Sequence, residues 1–224
     1  MKKFTTFLAA LALGFSVSAK TWTNYAGFGW RLPTSTTVKA DEDGMDDIKF
    51  KNQTGLSIDY AGTHESGFSV RGIFDINYSS SNLKISAEED DDELNGLNGL
   101  FLIGAGYAPI CTDKMFLGLY GVLGADVTVL FREYTKSSYY YESESKYSMT
   151  HAASVLGANA TFVYTPAKHF SVFASLCANY MFPAKVEAEI TQKVNGTKIF
   201  DSDEKFDYKG AFKFVPTVGI CWKF

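Results

Sequence analysis

Seven charged or strongly polar side chains occupy positions where acid–base or ion-pair chemistry is possible. They are Arg31, Asp59, Arg71, Asp75, Asp126, His151 and Asn159. Each lies in or beside a segment that alternates apolar and polar residues, so a β-strand would direct all seven to one side of a sheet. Enclosed charges must be paired. We therefore interpret the set as an ion-pair and hydrogen-bond network inside a small barrel, with a conducting pore as the alternative.

Carboxylates also cluster in two polar connecting segments. The first cluster contains Asp41, Glu42, Asp43, Asp46 and Asp47, and the second runs from Glu88 to Glu93 and includes Asp90 and Asp91. Such clusters suit hard divalent cations, although the residues around Gly44 do not have the spacing of an EF-hand loop. The alternative is a solvated loop whose charges repel one another. We predict no defined metal site.

A third connecting segment is rich in tyrosine. Tyr134, Tyr139, Tyr140, Tyr141 and Tyr147 stand among serines and glutamates. Tyrosine and serine together form adaptable contact surfaces, so this segment could be an adhesive or receptor-binding patch. A variable loop without a fixed partner fits the same composition.

Catalysis and nucleic-acid binding find little support in the sequence. His169-Phe170-Ser171 resembles a His-x-Ser pair, but no acid partner for the histidine is evident, so we predict no enzyme and no cofactor. The three cysteines lack metal-site spacing. Removing the two lysines of the predicted leader changes the formal charge from −4 to −6, which argues against a nucleic-acid partner.

That leader comprises residues 1–19. Lys2 and Lys3 precede an apolar run from Phe4 to Phe15, and Val17-Ser18-Ala19 offers small residues for signal-peptide cleavage. We therefore predict an exported protein whose single domain covers residues 20–224.

The mature chain has no apolar run near the roughly 20 residues of a membrane helix, so any span must be made of strands. Eight segments alternate with period two, and the clearest runs from Phe212 to Phe224. Short connections at 61–66, 109–113 and 165–169 alternate with long ones at 34–47, 79–96, 132–148 and 184–206. This predicts an all-β fold, an eight-stranded antiparallel transmembrane β-barrel with both termini in the periplasm. A soluble barrel or sandwich would leave Arg31, Asp75 and Asp126 outside.

Within the last long connection, Asn195-Gly196 between alternating runs predicts a tight hairpin that pairs Val194 with Thr197. This pairing sets even-numbered residues opposite odd-numbered ones, although even positions face lipid in both strands. A bulge must therefore bring the two apolar faces to the same side, and Pro183 is its predicted place. The same register places Cys177 near position 214, too far from Cys221 for a disulfide.

The chain resembles the small eight-stranded outer-membrane barrels of the OmpX, OmpA transmembrane-domain and OmpW kind in its Ser18-Ala19 signal cut, its alternating short and long connections and its closing residues 219–224, which end in an aromatic residue. The resemblance implies a bacterial outer-membrane location, contact with outer-membrane lipid and lipopolysaccharide, and a C-terminal assembly signal, here Trp222 and Phe224, for the barrel-assembly machinery. The acidic and tyrosine-rich loops favour a structural or surface-interaction role, adhesion-like, toward a host or surface ligand. The alternative is a narrow pore or a conduit for small hydrophobic molecules, as in the OmpW kind.

Overall fold

The computed structural model describes residues 21–41, 46–84, 93–137 and 142–224, and the predicted leader lies outside them. The described chain consists of ten antiparallel strands and the turns between them. They are β1 (Trp22–Val38), β2 (Ile48–His64), β3 (Phe68–Lys84), β4 (Glu93–Cys111), β5 (Met115–Ser137), β6 (Glu142–Tyr164), β7 (Phe170–Met181), β8 (Ala184–Val194), β9 (Thr197–Tyr208) and β10 (Ala211–Lys223). In these ranges no helix is long and apolar enough to cross a membrane.

The strands close into a barrel. Consecutive strands pair from β1 to β7, and β10 pairs with both β7 and β1 to complete the ring. The β8–β9 hairpin adds to the half of β6 that extends beyond β7. The structure thus has ten strands where eight were predicted, because each of the last two predicted strands is interrupted, one at Pro183 and the other at Lys209 and Gly210.

Alternation along each strand separates an apolar exterior from a polar interior. Outward side chains are largely apolar and exposed, for example Leu56, Leu97, Leu123, Phe212 and Phe214, whereas Arg31, Asp75 and Asp126 inside are fully buried. A soluble barrel would have the reverse arrangement. This exterior is therefore suited to hydrocarbon.

Two ends of the barrel can be distinguished. The turn end carries the three short connections, between β2 and β3, β4 and β5, and β6 and β7, together with Phe224, which exchanges backbone hydrogen bonds with Asn24. The loop end is the opposite end, where the β8–β9 hairpin projects. Several strands extend into the predicted long connections, since β5 and β6 remain paired as far as Ser137 and Glu142.

The hairpin has the predicted turn. Val194 lies opposite Thr197, and both turn residues have positive φ, 48° at Asn195 and 76° at Gly196, as a type I′ turn requires. The predicted change of face at Pro183 is also present, because odd residues point inward in β7 whereas Val186 of β8 is buried.

A second change of face was not predicted. Tyr208 and Lys213 are both buried, so the inward positions change from even to odd numbers between β9 and β10. Cys177 lies opposite Val215, one residue from the predicted position, and the three cysteines are unbonded.

Candidate functional site

A layer of charged side chains crosses the middle of the lumen. Arg31 of β1 lies 3.7 Å from Asp75 of β3 and donates a 3.2 Å hydrogen bond to the side-chain oxygen of Asn98 on β4. Lys213 of β10 pairs with Asp126 of β5 and donates to the same Asn98 oxygen at 3.4 Å. Asn98 in turn donates to Asp126 at 2.6 Å. These five residues, the charged layer, are buried and join strands on opposite walls.

A second polar cluster contains a third buried ion pair. Arg71 of β3 pairs with Asp59 of β2 and lies 3.4 Å from the Ser175 hydroxyl of β7. Ser57 donates to Asp59 at 2.5 Å, and Asn159 of β6 donates to Ser175 at 2.7 Å. Since each charge has a partner of opposite sign, the cost of burying it is offset within the lumen.

The structure therefore brings six of the seven predicted polar side chains into two paired clusters. His151 belongs to neither, because its ring packs 5.5 Å from that of Phe50 towards the loop end. The sequence reasoning missed Lys213 and Asn98, although the alternation places Lys213 on the inward face of its strand. Asn98 carries no charge and stands among glycines and leucines, so no signal singled it out.

Aromatic side chains fill the lumen at the turn end. Tyr25 packs against Phe116 with ring centroids 5.0 Å apart, and the Tyr120 hydroxyl lies 2.9 Å from that of Ser69. Lys223 reaches the β4–β5 turn, where its ammonium donates to the backbone oxygen of Asp113 at 3.1 Å. Packed rings and a lysine that reaches a neighbouring turn therefore occupy part of the lumen at this end.

An apolar cavity of about 310 Å³ opens at the loop end. Its lining residues come from β2, β6, β8 and β9 and the segment before β2. They are Asp46, Ile48, Met149, Val186, Ala188, Phe206 and Tyr208. Pockets of this kind favour small, mainly apolar ligands.

One stretch of the barrel wall beside this cavity is unpaired. Strands β1 and β10 pair as far as Arg31 and Thr217. The next pair towards the loop end is Ala40 with Tyr208, and Tyr208 lines the cavity. Between these points, residues 32–38 and 210–216, which we call the seam, form no ladder pairs with each other.

The sequence explains why the seam does not pair. Pro33 and Pro216 lack the amide hydrogen that a ladder needs. In addition, β1 shifts register after Arg31, so its inward residues have odd numbers up to Arg31 and even numbers from Thr36 onwards. In β10 the inward residues keep odd numbers as far as Ala211. Thr36 is consequently 2% exposed while Phe212, at the facing position, is 72% exposed. Strands whose facing residues point to opposite sides cannot form a regular ladder.

Most predicted loop-surface residues, Asp43, Asp90, Asp91, Tyr139, Tyr140 and Tyr141, lie outside the described ranges. Asp41 forms a 3.5 Å ion pair with Lys209, and Tyr134 lies on β5 opposite Ser145. The described ranges contain no group of three or more His, Cys, Asp or Glu that could hold a metal ion.

The outer face of the projecting hairpin is instead held by ion pairs. Lys205 donates to Glu187 at 2.5 Å, and this hydrogen bond raises the pKa of the lysine. Such exposed pairs contribute little to stability.

The His-x-Ser motif is not assembled as a catalytic pair. The His169 ring nitrogen lies 3.1 Å from the backbone oxygen of Lys223, and the Ser171 hydroxyl lies 2.9 Å from that of Thr165. A nucleophile and its base must instead lie within hydrogen-bond reach of each other.

Comparison with known proteins identifies the fold. No family model and no curated protein matches the chain. Among solved structures, the outer membrane protein OprG from Pseudomonas aeruginosa is 18% identical, with a TM-score of 0.52 over 91% of this chain and 95% of that chain. A major outer membrane protein from Thermus thermophilus is 11% identical, with a TM-score of 0.52 over 90% of this chain and 99% of that chain. The predicted resemblance to outer-membrane β-barrels is thus confirmed for the fold, and these neighbours support an outer-membrane location.

Proposed function

We propose that the chain spans the outer membrane as a barrel with an eight-stranded wall and with both ends of the mature polypeptide in the periplasm. The short turns and Phe224 share one end, whereas the hairpin projects from the other, as expected when short connections face the periplasm. In this orientation the exterior contacts outer-membrane lipid and, around the loop end, lipopolysaccharide. Trp222 and Phe224 then stand where the barrel-assembly machinery would recognise them.

Trypsin treatment of intact cells tests this orientation. We expect cleavage at the hairpin tip, where Lys198 is exposed, and none at Lys168, exposed in the turn after β6. Permeabilising the outer membrane should then allow cleavage at Lys168. Unboiled protein should migrate differently from boiled protein on gels because a folded barrel resists detergent. Cleavage at Lys168 alone in intact cells would reverse the orientation.

We infer further that the protein admits small apolar molecules at the loop end and releases them sideways through the seam into the membrane. The observation that carries this function is the apolar cavity at the loop end, which ends beside the seam at Tyr208. This cavity favours a conduit for small hydrophobic molecules over a purely structural barrel.

Energetics favour a sideways route over an axial one. An apolar molecule moving along the axis would have to separate the buried partners of the charged layer, and breaking one such pair costs about 3–5 kcal/mol. Moving through the seam instead brings it into hydrocarbon, which is favourable by roughly 25 cal/mol for each Å² of its apolar surface that was still in contact with water. Phe212 and Phe214, both outward and exposed, provide an apolar exit on the β10 side.

Filling the cavity tests this function. We expect Ala188→Trp to reduce uptake of the apolar dye N-phenylnaphthylamine by expressing cells to the rate of cells without the protein, because the indole occupies the cavity. Glu189→Trp adds the same ring at the next position, on the outer face of β8, and should leave uptake unchanged. Wild-type uptake by folded Ala188→Trp would overturn the conduit.

The same geometry predicts that the barrel does not conduct ions. The charged layer and the aromatic side chains at the turn end occupy the lumen, so we expect planar bilayers containing the folded protein to show no single-channel steps. Stable steps from heat-modifiable protein would contradict a closed lumen and favour the pore.

A surface-interaction role is a second candidate, and the tip of the hairpin favours it. Ile199 and Phe200 are 61% and 48% exposed although they project beyond the membrane-facing part of the wall, and exposed apolar patches often mark contact sites. Binding of expressing cells to a cultured epithelial layer should fall when both become serine. Replacing the neighbouring Lys193 and Lys198 by serine is the control, and equal binding by all variants would remove this role.

A further inference from the structure

We propose that Asn98 is a positioning residue that sets the width of the seam by holding its two borders to the opposite wall. This inference rests on the proposed sideways release. Arg31 is the last paired residue of β1 before the seam, and Lys213 lies within the unpaired stretch on the other side. Their side chains extend across the lumen to β4, so two strands whose mutual ladder stops at Arg31 and Thr217 are tied to a common point.

The contacts of Asn98 explain how one amide can serve both borders. Its side-chain oxygen accepts from Arg31 at 3.2 Å and from Lys213 at 3.4 Å, and its nitrogen donates to Asp126 at 2.6 Å and to Thr128 at 2.9 Å. The side chain is fully buried, where hydrogen bonds to charged groups are strong. The amide therefore links both cations of the seam to an anion on the far wall.

Electrostatics indicate what happens when this link is lost. Arg31 and Lys213 carry like charges on the two borders and repel each other in a medium of low dielectric constant. Asp75 and Asp126 each form an ion pair with one of the cations, whereas Asn98 is, among the described residues, the side chain that accepts a hydrogen bond from both. Without its amide the borders keep their separate partners and lose the common one, so the seam should widen.

Nitroxide pairs measure this width directly. In a background with all three cysteines replaced by alanine, labels at Ser35 and Phe214, both outward on opposite borders, report the seam through dipolar broadening. A control pair at Leu56 and Ile76 reports a regular ladder, since these residues lie opposite each other on β2 and β3. We expect Asn98→Leu to reduce broadening for the seam pair and to leave the control pair unchanged. No change at the seam, or the same change at both sites, would overturn the proposal.

A second variant covers the case in which Asn98→Leu does not fold. Lys213→Met combined with Asp126→Leu removes the tie on the β10 side without leaving an unpaired charge, and it should reduce broadening at the seam in the same way. Unchanged broadening in this folded double variant would also overturn the role of the layer.

Dye uptake separates this proposal from the function on which it rests. A wider seam should increase uptake of N-phenylnaphthylamine at least about fivefold, within the range of ordinary coupling between sites. If the seam widens but uptake stays constant, the positioning role stands and sideways release fails. If Ala188→Trp abolishes uptake while Asn98→Leu leaves the seam unchanged, the conduit stands and the positioning role fails.

Discussion

Replacing Asp126 with leucine while Lys213 remains is expected to destabilise the folded barrel by about 3–5 kcal/mol. The Lys213 ammonium is fully buried and pairs directly with Asp126. Its remaining close acceptor is the Asn98 oxygen at 3.4 Å, which it shares with Arg31. Leucine has the same number and branching of side-chain heavy atoms as aspartate and is not smaller, so the loss arises from the unpaired charge and not from a cavity. Urea unfolding of the barrel in lipid vesicles measures the difference, provided that refolding is reversible.

The double variant with Lys213→Met is the matched control. It removes both charges and keeps apolar volume in the layer, and it should recover most of the lost free energy, because an apolar replacement of a buried pair is often neutral or stabilising. If the single and double variants were equally unstable, packing and not charge would dominate the layer. If Asp126→Leu were as stable as the wild type, Lys213 would not need its partner.

Period-two alternation is what made the fold predictable from sequence. The pattern from Phe212 to Phe224 requires one apolar and one polar face, and a closed barrel in lipid satisfies it without a second sheet. The number of strands was not predictable in the same way. Pro183 marks one interruption because proline disrupts a ladder, but Lys209 and Gly210 carry no comparable signal, and only the pairing of β9 with β8 and of β10 with β7 locates the second.

The candidate site was predictable in part for a related reason. Alternation assigns side chains to the lumen, and that suffices to identify Arg31, Asp75 and Asp126 as buried charges. It does not determine which strands face each other across the lumen or at what height, so Asn98 as the common partner of Arg31 and Lys213 could not be found. The seam arises because the inward face of β1 changes after Arg31 whereas that of the facing residues in β10 does not. The two segments lie far apart in the chain, so alternation within each of them does not reveal the mismatch.

The interior is consequently layered along the barrel axis. Aromatic rings fill the turn end, paired charges occupy the middle, and apolar side chains line the cavity at the loop end. In the proposed route, an apolar molecule in the cavity would meet charges below it and the seam beside it. The seam is therefore the part of the wall whose closure should affect transport most.

Cross-linking the seam is expected to reduce dye uptake to the rate of cells without the protein. Leu32 and Pro216 lie opposite each other on the seam side of the last pair, Arg31 and Thr217. Both side chains still point outward at this position. Cysteines at these sites, with the three native cysteines replaced by alanine, should form a disulfide that draws the borders together. Uptake of N-phenylnaphthylamine should fall on oxidation and return on reduction, so each sample serves as its own reference.

A cysteine pair at Leu56 and Ile76 shows whether the effect is local. These residues face each other in the intact ladder between β2 and β3, so their disulfide joins strands that are already paired and should not alter uptake. Unchanged uptake in the oxidised seam variant would exclude the seam as the exit. Loss of uptake in both variants would indicate that the whole wall must flex. Reversible loss in the seam variant alone is expected because, in the proposed route, the unpaired stretch beyond Arg31 and Thr217 gives the cavity access to lipid.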